Sequence, residues 1–169
     1  MKFNKEYFAV ITILGIILLY SYYYFAQKNN KIVLELWGSI KGNLLNIYYL
    51  SMILTTLGFL LLINYLFVSN NLNKSDINKI FYSIISIVGF SILWMPLSLY
   101  YLKNKNNSII KYLIILILAI IAISSFYLLT ILYHIKDNSI QHKLALIGII
   151  YFFIHVGFFD TILWSYHFF

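Results

Sequence analysis

The chain has 169 residues, 62% of them apolar, 20% aromatic and only 10% charged. Soluble domains average about 45–50% apolar and about 25% charged, so a water-soluble fold of this length could not hide its own apolar surface. The formal charge of +7 comes from 12 lysines, with no arginine, against 5 acids. Those lysines lie between apolar runs, as membrane-flanking anchors do, whereas a nucleic-acid groove needs basic residues clustered to meet phosphates.

Five apolar runs cover residues 8–26, 44–68, 80–102, 109–134 and 144–167. Each is long enough for a helix to cross a hydrocarbon core about 30 Å thick, which takes roughly 20 residues. Transmembrane barrel strands would alternate polar and apolar residues, and stretches such as 113–123 do not alternate. The expected fold is therefore all-α: one membrane domain over residues 1–169, a five-helix bundle in a multi-pass integral membrane protein. Lysines divide equally between the two sides of such a bundle, so the positive-inside rule selects neither orientation. Cysteine is absent, which removes disulfides, thiolate metal sites and cysteine nucleophiles.

The first run ends in Tyr20-Ser-Tyr-Tyr-Tyr-Phe-Ala. Bulky tyrosines stand where a signal-peptide cleavage site would carry small residues, and they suit an interfacial aromatic belt on a retained helix. The first connection, about residues 27–43, is the longest. Its Glu35, Trp37, Gly38 and Gly42 suggest an ordered segment hugging the interface, with Trp37 either a headgroup anchor or part of a lid. In the second run Ser51, Thr55 and Gly58 form a small-residue stripe that lets a neighbouring helix approach closely. Ser75 is the expected cap of the third helix. That helix holds the only proline, Pro96, which removes a backbone bond and either loosens the helix beside a cavity or merely punctuates it. Ser83, Ser86 and Gly89 give a second small face, and Ala119, Ala122 and Ser125 a third. His134 and His142 read as exposed loop histidines. The abundance of Asn, Lys, Ile and Tyr reads as a compositional bias with little mechanism in it.

The last run carries Asp160, the carboxylate that sits inside a long apolar stretch. An acid at that depth is costly unless it faces protein or water, which makes it the default pointer to function. At 100° per residue His155 and Asp160 stand about 140° apart on an α-helix, so they are not expected to pair. Asp160, Trp164 and His167 share a face instead, flanked by Gly157, Thr161 and Ser165. Three meanings compete for Asp160: a ligand or cation contact in a cavity, a proton relay, or a structural acid, bonded to a hydroxyl or to Trp94 or kept protonated by burial. His155 has no second intramembrane histidine with which to complete a metal or haem site, so no metal ligands are expected. No hydrolase, metalloprotease, phosphate-loop or dinucleotide fingerprint appears, and no enzyme and no catalytic residue is expected.

Tyr49-Leu-Ser-Met52 resembles a Tyr-x-x-Met stretch, Trp94-Met-Pro96 a Trp-x-Pro segment, and Asp160-Thr-Ile-Leu-Trp164 an Asn-x-x-x-Trp pattern with Asp in place of Asn. Together with five helices and a long first connection, these features resemble the TspO/translocator-protein family. The first connection departs from it by keeping Trp37 without prolines, and the Pro-Tyr expected near the start of the fifth helix is missing. The resemblance implies an aromatic cavity for porphyrins, sterols or similar flat apolar molecules, closed by the first connection, with no fixed cofactor. Its lining would be Trp37, Tyr49, Trp94, Phe152, Asp160 and Trp164, and His155 joins the ligand-binding set as a mid-span polar group. The principal expectation is thus a transport or binding protein for a hydrophobic ligand in a lipid bilayer, with a second copy of the chain or a larger membrane protein as the expected partner. The alternatives are an accessory or assembly subunit of a larger membrane complex, and an ion or proton pathway.

Overall fold

Each apolar run becomes one helix in the structure, a computed structural model that describes residues 3–69, 72–105 and 107–169. Lys2, one of the flanking lysines, lies outside the described residues. The helices are α1 (Lys5–Lys28), α2 (Asn43–Val68), α3 (Lys74–Lys103), α4 (Ser108–His134) and α5 (Ile140–Phe168). All five are long and apolar enough to cross a membrane.

Polar caps set most of their starts. Asn4, Asn73, Asn107 and Ser139 each accept a hydrogen bond from an amide of the first turn, satisfying a donor that the helix leaves orphaned and contributing about 1 kcal/mol apiece. The cap of α3 is Asn73, which accepts from the Asp76 amide at 2.8 Å, and not Ser75, which lies inside the helix. Three asparagines that read as compositional bias thus carry local structure. α2 instead starts after Gly42, whose φ of 59° is open to glycine and strained for other residues.

The helices form a ring. α1 packs on α3, α3 on α4, α4 on α5 and α5 on α2, and Phe8 meets Phe67 edge-on at 5.4 Å to join α1 to α2. One face of α1, from Tyr7 through Leu14 and Leu18 to Tyr22 and Phe25, rests on the others; Ile13, Ile16 and Leu19 on its opposite face are exposed. Leu57, Leu60, Ile123 and Ile162 are likewise exposed on other helices. An apolar exterior on this scale suits a lipid-facing surface.

Two cores fill the ring. At the end holding the second and fourth connections, Leu62, Leu66, Ile80, Ile84, Leu128, Leu132 and Ile149 interlock with almost no exposed surface. Here the small stripe of α2 meets α5 so closely that a Cβ added at Gly58 would lie 2.5 Å from the Gly148 carbonyl oxygen. At the other end, Leu36, Ile40, Tyr48, Met95, Leu99, Ile114, Trp164 and Phe168 pack beneath the first connection. α3 runs on as a helix through Pro96. His142 is buried, its Nε2 3.0 Å from the Leu132 carbonyl oxygen, rather than an exposed loop residue.

α5 changes its winding. Residues Ile140–Ile154 are α-helical, His155–Trp164 form a π-helix, and Ser165–Phe168 return to α. In a π-helix the backbone bond spans five residues rather than four, a wider turn found often at functional sites. Val156, Gly157 and Thr161, all weak helix formers, fall in this segment, and the Thr161 hydroxyl donates to the carbonyl five residues back, on Val156, at 2.7 Å.

Candidate ligand site beneath the first connection

The wider winding overturns the expected geometry of α5. Residues five apart lie about 140° apart on an α-helix, but the wider π turn, hydrogen-bonded five residues back, brings them round towards one face. His155 and Asp160 therefore share a face, with His155 Nε2 3.5 Å from Asp160 Oδ1. The same oxygen accepts a hydrogen bond from the Tyr48 hydroxyl of α2. On its other side His155 places Nδ1 2.8 Å from Ser51 Oγ. With the Ser51 hydroxyl donating to Nδ1, the ring carries its proton on Nε2, directed at the carboxylate. The result is one polar centre, Ser51–His155–Asp160–Tyr48, joining α2 to α5.

The centre borders a cavity of about 110 Å³ lined by all five helices and the first connection. Tyr22 of α1, Trp37, Tyr48 and Met52 of α2, Ser91 and Trp94 of α3, Leu118 and Ile121 of α4, and His155, Val156 and Asp160 of α5 line it. Asp160 keeps 25% of its side-chain surface open, against 6% for His155. The Tyr22 hydroxyl donates to the Ser91 carbonyl at 3.0 Å. Trp94 Nε1 is buried and, among the described residues, has no hydrogen-bond partner. Such a donor costs about 1–3 kcal/mol unless something in the cavity accepts from it.

The first connection is an ordered segment folded over the cavity as a lid. A 3₁₀ turn (Val33–Trp37) is pinned by a hydrogen bond from Trp164 Nε1 to the Leu36 carbonyl at 2.7 Å. Gly38 sits at φ 55° with its Cα against the His167 backbone, where a Cβ would come within 2.1 Å of the carbonyl oxygen. Ser39 bonds that same carbonyl through its amide at 3.0 Å, and Ser39 Oγ lies 2.6 Å from His167 Nδ1. Glu35 and Lys105 form an exposed ion pair at 3.3 Å, a weak contribution because water screens it.

Of the residues expected at the site, Trp37, Trp94, His155 and Asp160 come together on the cavity wall. Trp164 is fully buried behind it, 5.3 Å from the Trp94 ring and stacked on Phe168 at 4.2 Å. Its task is to hold the lid, and it shares no polar role with His167 around Asp160. Tyr49 is largely exposed and touches Trp37 from outside; the tyrosine at the cavity is its neighbour Tyr48. Phe152 packs on Phe59 at 5.8 Å, away from the lining. Sequence reasoning missed Tyr48 and Ser51 as partners of the centre and Tyr22 as a wall of the cavity. A signal for Tyr48 was present: it stands three residues before Ser51, on the stripe that continues through Thr55 and Gly58.

A serine, an imidazole and a carboxylate in this order resemble a hydrolase triad. Ser51 is buried and absent from the cavity wall, so its hydroxyl orients His155 and is not presented to a substrate there. Among the described residues no three His, Asp or Glu side chains gather as a metal site. What the arrangement offers is a fixed acceptor, Asp160 Oδ2, and a free donor, Trp94 Nε1, within aromatic walls.

Fold and site together define a class: all-helical proteins with five helices fit to cross a membrane and a polar centre enclosed among them. No protein-family model matches the chain, and neither a curated protein nor a solved structure matches it.

Proposed function

We propose that this chain is a multi-pass membrane protein that binds a small, largely apolar molecule under the lid, holding its polar end at Asp160. The observation that carries the reading is the cavity between the helices, with a Trp94 donor unpartnered among the described residues and a partly open Asp160 on its wall. Apolar walls with a few convergent polar groups are the usual make-up of a ligand site. The resemblance to the TspO/translocator-protein family favours the same kind of activity, non-enzymatic binding or transport. At about 110 Å³ the cavity is smaller than the ~150 Å³ that takes up a benzene ring and the ~300–1,000 Å³ of ordinary ligand pockets. A porphyrin or sterol would enter only with the lid lifted, so the proposed occupant has about five heavy atoms.

A proton pathway is less well supported, because among the described residues the side-chain contacts of the centre end at Ser51, and Thr55 beyond it bonds only the Ser51 backbone carbonyl, next to the tightly packed Gly58 and Leu62.

The test uses intrinsic fluorescence. All three tryptophans of the chain line the cavity or back it, so titrating the purified protein with tert-butanol, 2-propanol and protoporphyrin reads occupancy directly. Saturable change with the small probes, lost in Met52→Trp where the new ring fills the space, is expected. Flat titrations with every probe would remove the proposal.

A further inference from the structure

Resting on that reading of the cavity, we infer that its occupant is a small organic cation, an alkylammonium group either free or at the head of a lipid. Four aromatic rings from four different elements surround the space: Tyr22, Trp37, Tyr48 and Trp94. They stand as two pairs, Trp37 with Tyr48 at 5.3 Å and Tyr22 with Trp94 at 5.9 Å. Aromatic faces arranged around a void attract ammonium groups through the ring quadrupole, and most strongly where water is kept out.

Asp160 supplies what a ring of aromatics alone lacks. Its Oδ1 is occupied by Tyr48 and approached by His155, while Oδ2 accepts no hydrogen bond among the described residues. No lysine contacts it; among the described residues the lysine–carboxylate ion pair is Lys105–Glu35, on the lid's outer side. A buried carboxylate is stable as an anion only beside a compensating charge, and an ammonium in the cavity provides it. An occupant of about five heavy atoms fits a trimethylammonium or tert-butylammonium group, and a hydroxyl or water beside it would accept from Trp94 Nε1.

The decisive comparison is between tert-butylammonium and tert-butanol, equal in heavy atoms and shape but different in charge. Tryptophan fluorescence of the full chain in uncharged maltoside micelles should show the cation binding at least about tenfold more tightly. That preference should vanish in Asp160→Asn. Trp37→Leu, which takes away one wall and leaves the acid, should weaken the cation several-fold more than the alcohol and serves if Asp160→Asn does not fold. Repeating the titration after adding phosphatidylethanolamine to the same micelles separates the sources: competition there assigns the site to a lipid headgroup, and unchanged affinity to a free amine. Equal binding of the two probes, or a preference that survives Asp160→Asn, overturns the cation while leaving the ligand cavity standing. Binding of neither probe overturns both.

Discussion

Where the second and fourth connections close the bundle, Leu62, Leu66, Ile80, Leu128 and Ile149 pack with almost no exposed surface, and Gly58 and Gly148 bring α2 and α5 into backbone contact. Beneath the lid the same two helices hold a phenol, an imidazole and a carboxylate apart from their neighbours around a cavity. The difference follows from winding and side-chain size. In the packed half both helices keep a 3.6-residue period and offer glycine at the crossing, so ridges settle into grooves. In the lid half α5 opens into a π-helix, and large rings that cannot interdigitate hold the walls apart.

The largest expected effect breaks the packed half. Gly148→Leu puts a branched side chain where even a Cβ would lie 2.5 Å from the Gly58 carbonyl oxygen; overpacking of this kind costs about 3 kcal/mol. The thermal midpoint in detergent should fall steeply, with the Trp fluorescence of the lid half lost in the same transition. Next comes Gly38→Ala on the lid, which combines a left-handed backbone with a clash at His167 and should cost about 2 kcal/mol. Unlike the first change it should free the lid before the bundle melts, seen as faster hydrogen exchange at the Ser39 amide. Tyr48→Phe removes the donor to Asp160 Oδ1 while keeping the ring. A loss of about 1–3 kcal/mol is expected, and small-probe affinity should change more than overall fold, as read by fluorescence and circular dichroism.

The smallest effect is at the far end. Asp137, in the fourth connection, accepts from the Ser139 amide at 2.8 Å and from the Tyr65 hydroxyl at 3.3 Å. The Ser139 amide bond above all holds its carboxyl below the usual carboxylate range. A depressed folded value means that the stabilisation is fully present above the unfolded pKa of about 3.9 and is lost as pH falls through the lower folded value. Acidification below about pH 4 should thus loosen the Ser139 cap, detected as line broadening at that amide, and leave the lid half unchanged.

The same contrast governs how much could be read from the chain. All five helices, the lid, and the Ser51–Thr55–Gly58 stripe follow from length, hydropathy and residue size, because regular helices repeat what their sequence states. Asn73 rather than Ser75 as the cap of α3 is a shift of two residues, within the ordinary uncertainty of helix ends. The site was legible in part: Trp37, Trp94, His155 and Asp160 reach the cavity, whereas Tyr49, Phe152 and Trp164 do not line it. Extending the α2 stripe by one step selects Tyr48 over Tyr49. The pairing of His155 with Asp160 was hidden for a different reason. A periodicity argument assumes the winding it uses, and 100° per residue fails where weak helix formers let the turn widen.

The central claim is that the π-segment lays Asp160 against His155 at the edge of a cavity. Magic-angle-spinning NMR on bilayer-embedded protein, with labelled histidine nitrogens and aspartate carboxyl carbons, measures that pair directly. A strong dipolar contact between His155 Nε2 and the Asp160 carboxyl is predicted, matching an N–O separation of 3.5 Å. No contact, with α-helical shifts running unbroken from residue 155 to 164, would contradict it.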